Sequence, residues 1–315
     1  MITPEHFRQQ VESLAGAGLQ GDGRLALAVS GGGDSLALLY LTARAFGARA
    51  HVLSVDHGLR AESAAECAMV ARQAAEMGLP ADILRLHMAS GGNVQAVARE
   101  KRYAAMAARC AELHIRHLLT AHHADDQAET LLMRLARGSG LAGLCGIRPV
   151  AEIAGIVVLR PLLHHRRADL RAVTAAAGWK AAEDPSNDSP HYDRTRARRL
   201  LQHEGWLQPQ RLAAAAAHLQ QAEAALNWAE DRAWHSRAEI DDEGRLWLDC
   251  EALPQELRLR LLQRALHQFG ARPDGPGLKA ALAKLDAGIA ATLGPCLLRP
   301  QAGRWQVTLA PPRRS

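Results

Sequence analysis

LALAVSGGGDSLALL, Leu25–Leu39, joins two apolar runs through three consecutive glycines framed by Ser30 and the pair Asp34–Ser35. Ordering a glycine costs more backbone entropy than ordering any other residue. Three of them between two segments that want burial therefore need a reason. The first run has the length of a strand and the second that of a helix, so the glycines occupy a strand-to-helix turn. In an open α/β sheet such a turn lies at a strand's carboxyl end, where anions bind. Glycines let backbone N–H groups face an anion without intervening side chains, and the helix dipole adds to the attraction. The hydroxyls of Ser30 and Ser35 add donors. No GxxxxGK[ST] pattern occurs, which excludes a Walker A loop. A literal GxGxxG at Gly16, Gly18 and Gly21 precedes the first strand instead of following it, and is read as accidental.

Outward from this stretch, short unalternating apolar runs recur at Leu25–Val29, His51–Val55, Ala81–Leu86, His117–Thr120 and Ile156–Leu159, as buried parallel strands show. Helical spacing fills the intervals at Ser35–Phe46, Ser63–Met77, Asn93–His114 and Asp125–Arg137. Ser63 and Glu66 are read as a capping box, Asn93 as an N-cap, and Gly78, Gly138 and Gly178 as helix-ending glycines. Strand–helix alternation of this length predicts a doubly wound, mainly parallel α/β sheet. Beyond about Leu200 the pattern changes to two long helices and two short strands, RLWLDC and RWQVTLA. Residues 1–205 are thus expected to form the sheet domain, and 206–315 a smaller, mainly helical α+β domain.

The 315 residues carry a formal net charge of +5, with five cysteines that show no CxxC spacing. That usage argues for a reducing compartment and against a disulfide frame or zinc site. The N-terminus lacks a signal-peptide core and no apolar run reaches membrane-spanning length, so the chain is read as cytoplasmic. Residues 1–150 hold 15 Lys/Arg against 14 Asp/Glu, and residues 151–315 hold 23 against 19. Within the second half, YDRTRARRL places Arg194, Arg196, Arg198 and Arg199 in six positions. Arginine forks suit phosphate, so the segment is read as a phosphate-recognising face, with a solvated helix face as the alternative.

After the fourth strand comes HHADDQAETLLMRLARGSGLAGLCGI, His122–Ile147. His122, Asp126 and Glu129 share one helical face near an N-terminus. Dipole capping alone would favour acids there. The same rim of the sheet carries the glycine loop, however, and carboxylates beside a triphosphate are unfavourable unless they hold Mg²⁺ or an ammonium. Arg99 and Arg102 share a face of the third long helix, where they either pair with Glu100 or Glu112 or reach a phosphate. Asp56 and His57 end the second strand. His122–His123 lacks the partners of a zinc site, and His164–His165 is read as surface.

SGGGDS after the first strand resembles the pyrophosphate-binding loop of the PP-loop ATP pyrophosphatases. VDHGLR (Val55–Arg60), GGNVQAVAREKRY (Gly91–Tyr103), the His122–Ile147 block and EDPSND (Glu183–Asp188) followed by YDRTRARR resemble, in this order, the tRNA(Ile)-lysidine synthase family. The likeness covers roughly residues 24–200. Thr195 stands where that family usually has asparagine, and the compact two-domain form, without the further C-terminal domain of many members, is expected. The resemblance implies an ATP- and Mg²⁺-dependent ligase with tRNA(Ile) bearing a CAU anticodon and free lysine as partners, and it is compatible with a homodimer. It implies that the C2 oxygen of the wobble cytidine is adenylated and that lysine then displaces AMP. Carried residue by residue, Ser30, Gly31, Gly32, Gly33, Asp34 and Ser35 would bind the pyrophosphate, with Asp34 on the metal. Asp56 and His57 would lie by the adenine, and Arg99 and Arg102 on phosphate or cytidine. Asp126 or Glu129 would meet the lysine amine, and the four arginines of Arg194–Arg199 the tRNA. Thiolation enzymes with this loop often use a CxxC pair, absent here. A non-catalytic RNA-binding scaffold would be expected to have lost Asp34 or the serines.

Overall fold

The computed structural model describes residues 2–19, 23–58, 62–86, 94–182 and 193–310. The expected N-cap Asn93, Arg60 and the EDPSND segment fall outside them. The chain divides into two units, Met1–Gln220 and Gln221–Ser315.

The first unit is built on a six-stranded sheet: β1 Leu25–Ala28, β2 Ala50–Asp56, β3 Ala81–Arg85, β4 His117–Leu119, β5 Val150–Ile153 and β6 Ile156–Leu159, in the order β3-β2-β1-β4-β6-β5. All neighbours are parallel except β5, an antiparallel edge strand that the sequence pattern did not reveal. None of its four residues is buried, Val150 and Glu152 being exposed, and Glu152 interrupts the apolar run, so it carries no buried-strand signature. Alternate residues of the central strand serve opposite faces. Leu25, Leu27 and Val29 pack with Phe7, Leu36 and Leu170 on one side, while Ala26 packs with Tyr103, Met106 and Cys110 on the other. Period-two side-chain alternation thus puts apolar surface on both faces, and both must be covered by helices.

Those helices are α1 Pro4–Ala15, α2 Gly33–Phe46, α3 Glu62–Glu76, α4 Val94–Glu112, α5 Ala124–Ala136, the short α6 Leu141–Leu144, α7 Arg167–Ala176 and α8 Asp193–His203, followed by α9, Pro209–Arg237. Connections from β1 run to β2 on one side, while β4 lies on the other. The carboxyl ends of β1 and β4 therefore flank a topological switch point, where a crevice opens for ligand. The glycine loop leaves β1 and α5 follows β4, so both motifs are delivered to that crevice by topology.

Two local expectations change. Ser63 is the second residue of α3, not its cap, and its hydroxyl instead hydrogen-bonds Asp56. The division of the chain falls at Gln220, inside α9, not at residue 205. The first turns of α9 belong to the sheet unit: Gln220 Nε2 donates to Cys145 O at 2.6 Å and to Ile147 O at 3.1 Å. A long helix gives no composition shift at such a point.

The second unit comprises the remainder of α9, β7 Ala238–Ile240, β8 Leu246–Asp249, α10 Gln255–Gln268, α11 Gly275–Asp286, β9 Ala291–Leu293, β10 Cys296–Gln301 and β11 Arg304–Leu309. Its five strands pair antiparallel in the order β7-β8-β11-β10-β9, around a core that includes Leu246, Leu261, Leu282, Leu298 and Val307. No described helix of the chain is long and apolar enough to cross a membrane.

Candidate active site

The glycine loop is turned inside out relative to an ordinary turn. Gly31 O accepts from Ala182 N at 3.0 Å, and Gly32 O from Leu36 N at 3.0 Å and Ser35 Oγ at 2.9 Å. Gly33 O accepts from Thr174 Oγ1 at 2.8 Å. With all three carbonyls engaged, the N–H groups of Gly31 through Asp34 donate to no described residue. These are the orphan donors of a helix start, four in a row at a positive dipole end. An anion satisfies them. Gly31 sits at φ +88°, which favours glycine, and a Cβ there would lie 3.2 Å from Met69 Cε, so the methionine end would have to give slightly.

Ser35 differs from its expected role. Its only hydroxyl proton goes to Gly32 O, and its oxygen accepts from Ser30 N at 3.2 Å. It braces the loop, and the Ser30 hydroxyl, 3.3 Å from Ser35 Oγ, is tied to the same brace. Thr174, which no sequence motif singles out, fixes Gly33 from α7. Thr174→Val keeps the shape but frees that carbonyl to turn toward the anion. The expected result is a roughly five- to tenfold rise in the ATP dissociation constant, on the scale of one net hydrogen bond, with Thr174→Ser near wild type by calorimetry.

At the start of α5, His123 and Asp126 form a capping box: His123 N donates to Asp126 Oδ2 at 3.1 Å and Asp126 N to His123 Nδ1 at 3.4 Å. The capping and functional readings of Asp126 therefore both hold, because its other oxygen, Oδ1, accepts from Arg194 Nη2 at 2.9 Å beside the cavity. Burial pushes Asp126 up, but the positive neighbours His123 and Arg194 outweigh it and hold the carboxyl below its ordinary range. His123 Nε2 lies 3.3 Å from Asp34 Oδ2. Burial opposes protonation of His123, yet the hydrogen bond to Asp34 and three nearby carboxylates raise its pKa. Burial dominates at His122, whose pKa falls to about 3, so this imidazole stays neutral. Asp125, unremarked in the sequence, accepts from Arg167 N at 2.8 Å and so ties the start of α7 to that of α5.

A cavity of about 1140 Å³ opens over these groups, lined among others by Ser30, Asp34, Arg102, Asp126, Arg167 and Arg194. A smaller one of about 300 Å³ adjoins it at the strand ends, with Val29, Leu53, Val55, Tyr103 and Met106 on its apolar side and Arg99 and His122 on its polar side. The first offers donors and cations to a polyanion, the second a slot for a flat, largely apolar group.

A family model described as a PP-loop domain matches residues 3–204. The tRNA(Ile)-lysidine synthase of Novosphingobium aromaticivorans is 45% identical, over 96% of this chain and 97% of that protein. That of Zymomonas mobilis is 42% identical, over 98% and 94%. The chain belongs to the tRNA(Ile)-lysidine synthase family. Among solved structures, a U34-tRNA thiolase of Methanococcus maripaludis matches 69% of this chain and 78% of its own with a TM-score of 0.56 and 16% identity, a likeness of fold.

Within this lysidine synthase family member, Asp56, Glu129, Arg194 and Arg198 make contacts that the sequence pattern does not show. Asp56 turns back onto its own loop, accepting from Gly58 N at 3.0 Å, and lines neither cavity, whereas His57 lines both. Glu129 is 2% exposed and also lines neither. Its Oε2 accepts from Arg194 Nε at 2.6 Å and its Oε1 from Arg198 Nε at 2.8 Å. The four-arginine segment is consequently split. Arg194 and Arg198, four apart on α8, reach the acids, although Arg194 is itself exposed like Arg196 and Arg199. Arg99 and Arg102 flank the Tyr103 ring, their guanidinium carbons 5.0 and 5.7 Å from its centre, and Glu112 pairs with Arg109 instead.

The glycine-rich end of the same motif is a brace. Gln127 grips the backbone of Ile147 in both directions, donating to its O at 3.0 Å and accepting from its N at 2.6 Å. Arg134 donates to Gly143 O and Gly146 O. Gly146 has φ +68°, and a Cβ there would lie 2.3 Å from Gln127 Oε1. Gly146→Ala is expected to cost about 2 kcal/mol or more from backbone strain and the lost clamp, read as a lowered midpoint in urea unfolding.

Proposed function

We propose that this chain uses ATP to join free lysine to C2 of the wobble cytidine of tRNA(Ile) bearing a CAU anticodon, working in the cytoplasm. The observation that carries the reading is the outward-turned glycine loop facing a cavity lined by the acids Asp34, Glu66 and Asp126 and by several arginines. In the first step the cytidine C2 oxygen attacks the α phosphorus, the α–β phosphoanhydride bond breaks, and pyrophosphate leaves onto the N–H groups of Gly31–Asp34. In the second, the neutral ε-amine of lysine attacks C2, AMP departs with that oxygen, and the amine loses a proton. Asp126, which lines the cavity on α5 while Asp34 is assigned to the metal, is assigned to hold the lysine ammonium and take up its proton. Glu129 is assigned to position Arg194 and Arg198. The apolar side of the smaller cavity suits the adenine, and Arg99 and Arg102 at its mouth suit the adenylate phosphate.

Among the described residues no three His, Cys, Asp or Glu are grouped to hold a metal by themselves. Mg²⁺ needs no such cage when phosphate oxygens and water complete its shell, and the Asp34 carboxylate beside the loop fits as its protein ligand. Bound there, Mg²⁺ would neutralise charge on the leaving pyrophosphate.

Sulfur transfer is less favoured, since all five cysteines are buried and none lines either cavity. The test is incubation of tRNA(Ile) with ATP and labelled lysine. Lysine in RNA matched one-to-one by pyrophosphate is expected, with AMP retained on the RNA when lysine is omitted. Pyrophosphate release without any lysine transfer would overturn the assignment.

A further inference from the structure

Arg194, Arg198 and Gln202 line the large cavity in four-residue steps along α8. The next step of that spacing is Trp206, in the turn between α8 and α9. It is 72% exposed, more than any other large apolar residue described. The ring is nevertheless anchored. Its indole N–H donates to Glu204 Oε2 at 3.1 Å, and the turn is pinned by Leu207 N on Glu204 O at 2.9 Å and Gln208 N on Trp206 O at 3.1 Å. Exposed arginines, Arg196, Arg199 and Arg211, stand on the two helices that meet at this turn. An indole whose polar atom is already held by Glu204 offers its π face, and the exposed arginines on the two flanking helices favour a polyanion that carries flat rings.

We propose that Trp206 is a stacking platform for an unpaired base of the RNA loop next to the nucleotide that enters the cavity. The inference rests on the proposed tRNA substrate. One base stacked on an aromatic side chain changes affinity about five- to hundredfold. Trp206→Ala should therefore weaken binding of an anticodon stem-loop RNA by that factor, while Trp206→Phe stays within about threefold of wild type. ATP affinity and thermal midpoint should not move in either variant. Stem-loops with a single abasic site at each loop position next to the target cytidine locate the partner. At the stacked position, base removal should weaken the wild type but leave the alanine variant unchanged. Equal loss on abasic and intact RNA, or unchanged binding by Trp206→Ala, overturns the platform. A wild-type chain that neither binds nor modifies tRNA(Ile) would instead overturn the functional reading itself.

Discussion

Asp34→Ala is expected to abolish AMP and pyrophosphate formation, by at least about a thousandfold, or some 4 kcal/mol of barrier, while tRNA binding stays within about twofold. Asp34 is the second residue of α2, beside the unfilled N–H groups of the glycine loop. Its Oδ2 lies 3.3 Å from His123 Nε2 and 3.5 Å from Arg167 Nε. A carboxylate placed against a triphosphate repels it unless a cation intervenes. Removing the charge should thus leave metal-free ATP bound as well as before or better, and yet remove turnover. That opposition of signs separates a metal ligand from a loop brace, because a brace would lose ATP affinity and turnover together. Quantifying pyrophosphate release beside ATP binding in EDTA makes the distinction. Retained turnover would sink the PP-loop reading of the motif.

Glu129→Gln should reduce both partial reactions and destabilise the sheet unit, whereas Asp126→Asn, with Arg194 still held by Glu129, should act mainly on lysine. The buried Glu129 carboxylate receives one Nε–H from each of two arginines on separate oxygens. Glutamine leaves one acceptor and turns amide N–H groups toward a guanidinium. Breaking a buried pair from one side costs about 3–5 kcal/mol. Arg194 is partly exposed, so about 2 kcal/mol is the expectation after screening. The thermal midpoint should fall by several degrees, and the cavity wall carried by Arg194 and Arg198 should lose its register. Asparagine at position 126 still accepts from His123 N–H, which preserves the cap. It removes the charge that faces an ammonium, so the lysine requirement should rise roughly ten- to hundredfold with adenylation nearly unchanged. A Glu129→Gln variant of normal stability that merely needs more lysine would restore Glu129 as the lysine carboxylate and displace Asp126.

Residue pattern alone determined the doubly wound sheet, the position of the glycine loop at the end of β1, and the placement of α5 on the same rim. These follow from local information: runs of apolar residues, glycine's conformational freedom, and the short connections that topology permits. The shared face of Arg194 and Arg198 was also within reach, since residues four apart share a helix face while Arg196 cannot join them. What only the tertiary structure decided is which polar atom each group spends its hydrogen bonds on. Thr174 and Ala182 take the carbonyls of a loop some 140 residues earlier in the chain, Asp125 ties α7 to α5, and Glu129 is consumed by arginines from α8. No periodicity encodes those partners, because each is set by chain segments brought together only when the apolar faces of the sheet are buried, and a charge read as available in sequence can be neutralised by that packing.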